Sequence, residues 1–338
     1  ALSVFIRRRA PNCQVILPRP LRVYQRGLKY GHACLLLPTK LMVQYTLLKE
    51  REVIALTGQD SRVFLQGLIS NDIDRINPSQ SMYAAMLTAQ GKYLHDFIMA
   101  DRGPTLWIDT EAERCDELTK RLSLFQLNSD VCITRKNESL AVAAVWGPDV
   151  ASCLGLKMHA GATKKLGNGL AMIDPRLPAL GIRLIGPPAE VEKLVTSFGF
   201  ESSTSSDYDS HRLDLAIPDG SRDMIVEKSF LLESNFEDLN GVAFDKGCYI
   251  GQENTARQKH RGTIRKRLVK VDIDGPTPSI GVPITWEKGE VGTMRSSRNS
   301  RGIAMIRLDR WEEARAQNAQ LRAGPATVVP VKPTWASF

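Results

Sequence analysis

Residues 246–253 read Lys-Gly-Cys-Tyr-Ile-Gly-Gln-Glu, setting one thiol, Cys248, between Gly247 and Gly251. Lys246 stands two residues before the thiol and Arg257 nine after it. A free cysteine with a pKa near ~8.5 is only a few per cent thiolate at neutral pH. Cations lower that pKa and raise the fraction able to attack a carbon or bind a metal. Lys246, Arg257 and Arg261 are the cations expected to do so here. Glycine allows close approaches and bends that a β-carbon forbids, so Gly247 and Gly251 predict a bent, accessible loop. A cysteine in an apolar setting is usually a small buried hydrophobe; the polar, glycine-flanked setting argues for the reactive reading.

The elements that must position this loop follow from periodicity. Val53 to Leu56 reads as a strand ending at the turn residue Gly58. Asp60 or Ser61 then caps a helix with Val63, Phe64, Leu65, Leu68 and Ile69 on its apolar face. Met82 to Thr88 and Tyr93 to Ala100 flank Gln90-Gly91 and predict a β-hairpin. A helix opening at Thr110 places Cys115, Leu118, Leu122 and Phe125 on one side. Cys132 in a strand and Cys153 in a short helix read as packing residues. Gly181 to Ile185 reads as a strand, Ala189 to Phe198 as an amphipathic helix, and Asp207 or Ser210 as the start of a helix ending before Pro218. Short strand signals at Leu268–Ile273, Val282–Trp286, Val291–Met294 and Gly302–Ile306 predict a C-terminal β-barrel. The whole reads as α+β.

Composition narrows the setting. The 338 residues suffice for two or three cores, and no apolar run reaches the length of a bilayer span. Of the net charge of +8, nine basic and no acidic residues fall within 1–49, leaving residues 50–338 at −1. The high pI therefore does not describe a nucleic-acid-binding body. An arginine-rich, acid-free N-terminus is the composition of a mitochondrial transit peptide. The six cysteines are scattered with no C-x-x-C pair, which suits a reducing compartment.

Leu239-Asn240-Gly241-Val242-Ala243-Phe244-Asp245, running into the octapeptide and on through Thr255-Ala256-Arg257 to Arg261-Gly262, resembles the YgfZ/GcvT-related folate-binding family. It is most similar to the mitochondrial branch acting in iron–sulfur cluster assembly. Shorter similarities lie at Phe64-Leu65-Gln66-Gly67, at Ser70-Asn71-Asp72 and from Gly91 to Asp96. The resemblance implies three subdomains around a central opening, two in a GcvT-like folate-binding region over 44–262 and a barrel over 263–338, all following the transit segment expected over 1–43. It implies tetrahydrofolate in the opening, with Asp96 and Asp214 facing the pterin, Glu233 nearby, and Arg257 and Arg261 meeting the glutamate tail. Lys246, Gly247, Tyr249, Gly251, Gln252 and Glu253 are the motif residues around Cys248.

The resemblance also implies a role for the thiol, as the catalytic or metal-binding residue. An iron–sulfur cluster takes four protein ligands, so one thiolate cannot hold it alone. Cys248 is then expected to contribute one ligand to a 2Fe–2S or 4Fe–4S cluster shared with an A-type carrier protein, with no nucleic-acid or membrane partner and a matrix location. Two other functions fit the residues. One is a tetrahydrofolate-dependent aminomethyltransferase, in which Asp96 orients or protonates the aminomethyl group. The other is thiol catalysis by Cys248 with His260 as base.

Overall fold

The structure, a computed structural model, describes residues 42–136, 138–262 and 264–338. The expected transit segment lies almost wholly outside them. In chain order come β1 (Gln44–Leu47), β2 (Arg51–Thr57), α1 (Ser61–Gln66), β3 (Met82–Leu87), β4 (Tyr93–Asp101) and β5 (Thr105–Glu111). Next are α2 (Cys115–Gln126), β6 (Cys132–Arg135), β7 (Ala141–Trp146), α3 (Val150–Leu154), β8 (Thr163–Leu166), β9 (Gly169–Ile173) and β10 (Ile182–Gly186). Then follow α4 (Pro188–Ser197), β11 (Glu201–Ser202), α5 (Ser205–Asp214), α6 (Gly220–Asp223) and α7 (Gln252–Arg261). The C-terminal part holds β12 (Lys266–Asp274), β13 (Pro283–Trp286), β14 (Gly289–Arg298), β15 (Arg301–Arg307), α8 (Leu308–Ala316), β16 (Leu321–Ala323) and β17 (Ala326–Val331).

These strands make two sheets and a closed barrel. The first sheet has the order β3-β4-β5-β2-β6, the second β11-β1-β7-β10-β9-β8, and the barrel β12-β15-β14-β13-β16-β17. Side chains alternate between the faces of a strand, and that alternation divides the core. Tyr83, Ala85, Ile98 and Trp107 of the first sheet share one cluster with Val142, Ala144 and Met172 of the second. Met82, Ala84, Phe97 and Ile108 point the other way, against Leu65, Cys115, Leu118 and Leu122 of the outer helices. The second sheet is likewise backed by Val150, Leu154, Val191 and Val195 of α3 and α4. The barrel has its own core and also sends Leu268, Ile303 and Met305 into the inter-sheet cluster.

Several sequence expectations are corrected. Thr110 ends a strand rather than opening a helix: β5 pairs with both β2 and β4, so Leu106 to Thr110 is buried on both faces, and the helix begins at Cys115. Val63 and Phe125 are exposed, outside the apolar faces assigned to them. Cys132 and Cys153 are also exposed. Cys132 starts the edge strand of the first sheet, while Cys153 faces away from the buried Val150, Ala151 and Leu154 of α3. Helix α5 starts earlier than Asp207, because Thr204 caps it and Asp207 returns the bond to the Thr204 N–H. Cys115 lies in the core as expected, and burial pushes its thiol up to about 11.

Candidate functional site

The Cys248 loop is held by main-chain carbonyls from a distant part of the chain. Ser70 Oγ donates to Gly241 O at 2.6 Å, Asn71 Nδ2 to Asn240 O at 2.7 Å, and the N–H groups of Ala243 and Ile250 donate to Ser70 O and Gly67 O. Lys246 Nζ spends its three donors on Gln66 O, Ile69 O and Asn71 O, at 2.7, 2.8 and 2.8 Å. Its ammonium also lies 4.8 Å from the centre of the Tyr249 ring. Burial lowers the Lys246 pKa to about 8, against the pull of Asp72 and Asp74. Lys246 is thus a clasp on the 66–71 segment, not a cation held in reserve for the thiol.

The two glycines differ in what they do. Gly251 has φ +82°, and a β-carbon there would stand 2.4 Å from Thr88 O. It packs against Gly91 (φ +75°) at the β3–β4 turn, whose own β-carbon would meet Gly251 O at 2.7 Å. Asn254 Nδ2 adds a bond to Gln90 O at 2.8 Å, and Gln252 Oε1 accepts from Tyr249 N at 3.2 Å. Gly247 has no atom within 4 Å of a built β-carbon and no left-handed φ. The bend expected of both glycines belongs to Gly251 alone. Cys248 is left exposed on this seated loop. Glu253, Arg257 and His260 are exposed on α7, and the Arg261 side chain lies outside the described residues.

The second feature is a cavity of about 260 Å³ walled by Arg51, Tyr208, Asp209, Arg212, Asp219 and Arg222, among others. It adjoins a space of about 140 Å³ that shares Arg51, Asp219 and Arg222 and adds Glu111 and Ser221. Alternation explains the charge here. Arg51 lies two residues from Val53, Asp109 two from Trp107, Arg183 two from Ile185 and Asp174 two from Met172, so all four face the inter-sheet layer. Asp109 accepts from Arg51 and Arg183, each at 2.7 Å, and Asp174 accepts from Arg176 at 2.8 Å and Arg183 at 3.4 Å. On α5 and beyond, Asp209 accepts from Arg212, Arg222 and Arg298, while Asp223 accepts from Arg212 and Ser296.

Burial works against the charged form of Asp174, but Arg176 and Arg183 hold its pKa down at about 2. Asp219 is likewise penalised by burial and still driven well below the usual carboxylate range by Arg212, Arg222, Arg51 and Arg176. Among the described residues, only the Oδ2 of Asp219 is engaged, by Arg222 at 2.8 Å. Beneath Gly220, Asp96 accepts from Tyr83 Oη at 2.8 Å and from Tyr93 Oη at 2.7 Å. Burial, then the Asp96 charge, raise both phenols and Glu111. Glu111 accepts from the Ser221 N–H and hydroxyl.

The structure places the residues expected to meet the pterin differently. Asp96 is buried under the cavity floor. Asp214 is an exposed partner of Arg301 and Lys270 at the barrel, since five residues along a helix turn it away from Asp209. Glu233 is half-buried, and burial raises its pKa despite Lys266 and Lys92. Arg257 lines neither space. Sequence reasoning missed Asp219, Asp209 and the arginine wall; only the two-residue offset from apolar strand positions could have signalled part of it. A larger groove of about 770 Å³ lies between β8–β10 and α4, but leucines and glycine main chain make up much of its wall, and it holds no comparable charged cluster.

Residues 48–161 match the GCVT N-terminal domain and residues 265–338 the CAF17 C-terminal beta-barrel domain. The mitochondrial iron-sulfur cluster assembly factor IBA57 homolog of Neurospora crassa is 33% identical over 252 residues, which are 72% of this chain and 57% of that relative. The chain thus spans little more than half of the Neurospora protein. The mitochondrial iron-sulfur cluster assembly factor IBA57 of Mus musculus is 30% identical over 77% of this chain and 76% of its own length. For that of Homo sapiens the figures are 31%, 82% and 80%. Among solved structures, glycine cleavage system aminomethyltransferase T from Bartonella henselae superimposes with a TM-score of 0.70 at 14% identity, covering 87% of this chain and 86% of that one, a likeness of fold. This chain, with its two GcvT-like sheets, its closed barrel and its seated Cys248 loop, belongs to the IBA57 family of GcvT-related iron–sulfur cluster assembly factors.

Proposed function

We propose that this protein works in the mitochondrial matrix as an assembly factor, with Cys248 giving one ligand to a 2Fe–2S or 4Fe–4S cluster shared with an A-type carrier. The observation that carries the reading is one exposed thiol on a loop fixed at both ends by Lys246 and Gly251. Among the described residues, no group of three or more His, Cys, Asp or Glu is placed to hold a metal. A cluster wants four ligands, so the rest must come from elsewhere. The acid-free segment within 1–43 and the mitochondrial names of the relatives support the location, with folate-binding sheets over 44–262 and a barrel over 263–338.

The same reading assigns tetrahydrofolate to the arginine-walled cavity. The residues fit a pterin ring: Asp219 keeps one ionised oxygen free to accept ring N–H donors, Tyr208 offers an aromatic wall, and Arg222 and Arg298 can meet carboxylates. Asp96 then lies beneath the site, held by Tyr83 and Tyr93, and does not line it. When bound, the folate would supply a one-carbon carrier.

One anaerobic experiment tests both parts. Iron and sulfide are reconstituted with the protein alone and with the carrier, using wild type, Cys248→Ser and Asp219→Asn, while tetrahydrofolate binding is titrated. The expected result is a cluster signal only in the mixture, lost in Cys248→Ser, and folate affinity weakened about tenfold in Asp219→Asn alone. Normal cluster formation by Cys248→Ser would refute direct ligation. Conversion of tetrahydrofolate and an aminomethyl donor to methylene-tetrahydrofolate that survives Cys248→Ser would establish a transferase instead.

A further inference from the structure

Between Glu253 and Asp272 the chain carries seven Arg and Lys residues and no Asp or Glu, although residues 50–338 as a whole sit at −1. The positive charge of the folded body is therefore concentrated on α7 and the segment leading into β12. Folding uses part of it. Arg267 is buried, donating to Leu232 O at 2.7 Å, and Lys270 lies 3.6 Å from both Asp214 and Asp272. Lys259 pairs with Glu237. A cation in the last turn of α7 also suits the helix dipole.

Neither account covers Arg257 in the middle of the helix, or Arg265 and Lys266 beyond its end. All three are exposed, and among the described residues none has a carboxylate within ion-pair distance, Glu233 acting on Lys266 only from further off. Exposed charges contribute little to stability, and unpaired like charges subtract from it. This surplus is accordingly not explained by the fold. Its position is informative. Gly251 caps α7 three residues after Cys248, and Lys259 reaches back to within 5.4 Å of the Phe244 ring centre, so the helix lies along the thiol loop. Phe244 itself is partly exposed there.

We propose that Arg257, Arg265 and Lys266 form a docking ridge for an acidic face of the protein that shares the Cys248 cluster. This rests on the shared-cluster reading above and adds the chemistry of the partner surface. The ridge would steer encounter and set orientation, bringing ligands beside the partner's acidic face to the exposed thiol. Such charges act mainly on the association rate and on its salt dependence. A protein is favoured over nucleic acid because α7, which carries Arg257, follows an exposed thiol and lies by a partly exposed phenyl ring, and the rest of the body is not basic.

The test uses the full chain and an apo A-type carrier as the probe. Association rates are measured at low and moderate salt for wild type, the triple charge reversal Arg257→Glu/Arg265→Glu/Lys266→Glu, and Cys248→Ser, with duplex DNA as a competitor. The expected result is a rate at least tenfold slower at low salt for the reversal variant, with its salt dependence flattened. Cys248→Ser should associate at the wild-type rate while failing to form the cluster, and circular dichroism and thermal melting should show the reversal variant folded. A wild-type rate for the folded reversal variant would overturn the ridge and leave the thiol reading standing. Shared-cluster formation by Cys248→Ser would sink the thiol reading alone. Failure of the wild type to associate would overturn the ridge and leave the thiol reading to the reconstitution described above, and efficient competition by DNA would identify a nucleic-acid surface instead.

Discussion

The thiol loop and the central cavity are held together by opposite means. At the loop, a single ammonium and a few side-chain amide and hydroxyl groups satisfy main-chain carbonyls, and two glycines touch back to back. At the cavity, ionised side chains from six or more separate segments satisfy one another. A main-chain clasp fixes the path of the loop and leaves its side chains free to face outward. A web of ion pairs fixes side chains and leaves little of their chemistry free. The loop therefore offers an exposed thiol, whereas the cavity offers mostly shape, with Asp219 as the partly uncommitted member.

The strongest way to break that contrast is at Arg183, which bridges Asp109 and Asp174 between the sheets. Arg183→Met leaves two buried carboxylates with fewer counter-charges and should cost about 3–5 kcal/mol in chemical denaturation. A loss below 1 kcal/mol would mean the web is relaxed rather than tightly paired. At the loop, Gly251→Ala forces a β-carbon against Thr88 O in a left-handed backbone and should cost about 2–4 kcal/mol. Gly247→Ala, with open space around it, should change stability by no more than about 0.5 kcal/mol. Equal effects at the two positions would show that the loop is not seated by the Gly91 contact.

Acid supplies the gentlest test. The folded pKa of Asp174 is depressed to about 2 from an ordinary 3.8, so its contribution is complete above about 4 and is lost as pH falls toward 2. That amounts to about 2 kcal/mol. Between pH 4 and 2, wild-type stability should fall more steeply than that of Asp174→Asn in denaturant titrations. Parallel slopes would remove Asp174 from the ionised web.

These regions also differ in how much the chain reveals of them. The thiol loop is contiguous, so Lys246 to Glu253 announces it, and the short similarities at 64–72 and 91–96 turn out to be the surfaces on which it rests. The barrel was legible from four of its strands; the three-residue β16 and the adjoining β17 near the end were not. The cavity is dispersed over Arg51, Asp109, Asp174, Arg183, Asp209 and Asp219, each an ordinary charged residue in its local window. Asp214 lies on the same helix as Asp209. Only the angle between it and Asp209 around the α5 axis separates a wall residue from a surface ion pair.

The Gly91–Gly251 contact has a mechanical consequence. Strand β4 begins two residues after Gly91 and carries Tyr93 and Asp96, so one element touches the seat of the thiol loop at one end and the cavity floor further along. From Tyr93 to Asp96 the strand advances about 10 Å. Every residue of β4 is buried, and a close-packed interior leaves little slack to absorb a displacement. The strand is a common strut: side chains that shift at Asp96 load the turn that bears on Gly251, and the two regions, so different in chemistry, share one beam.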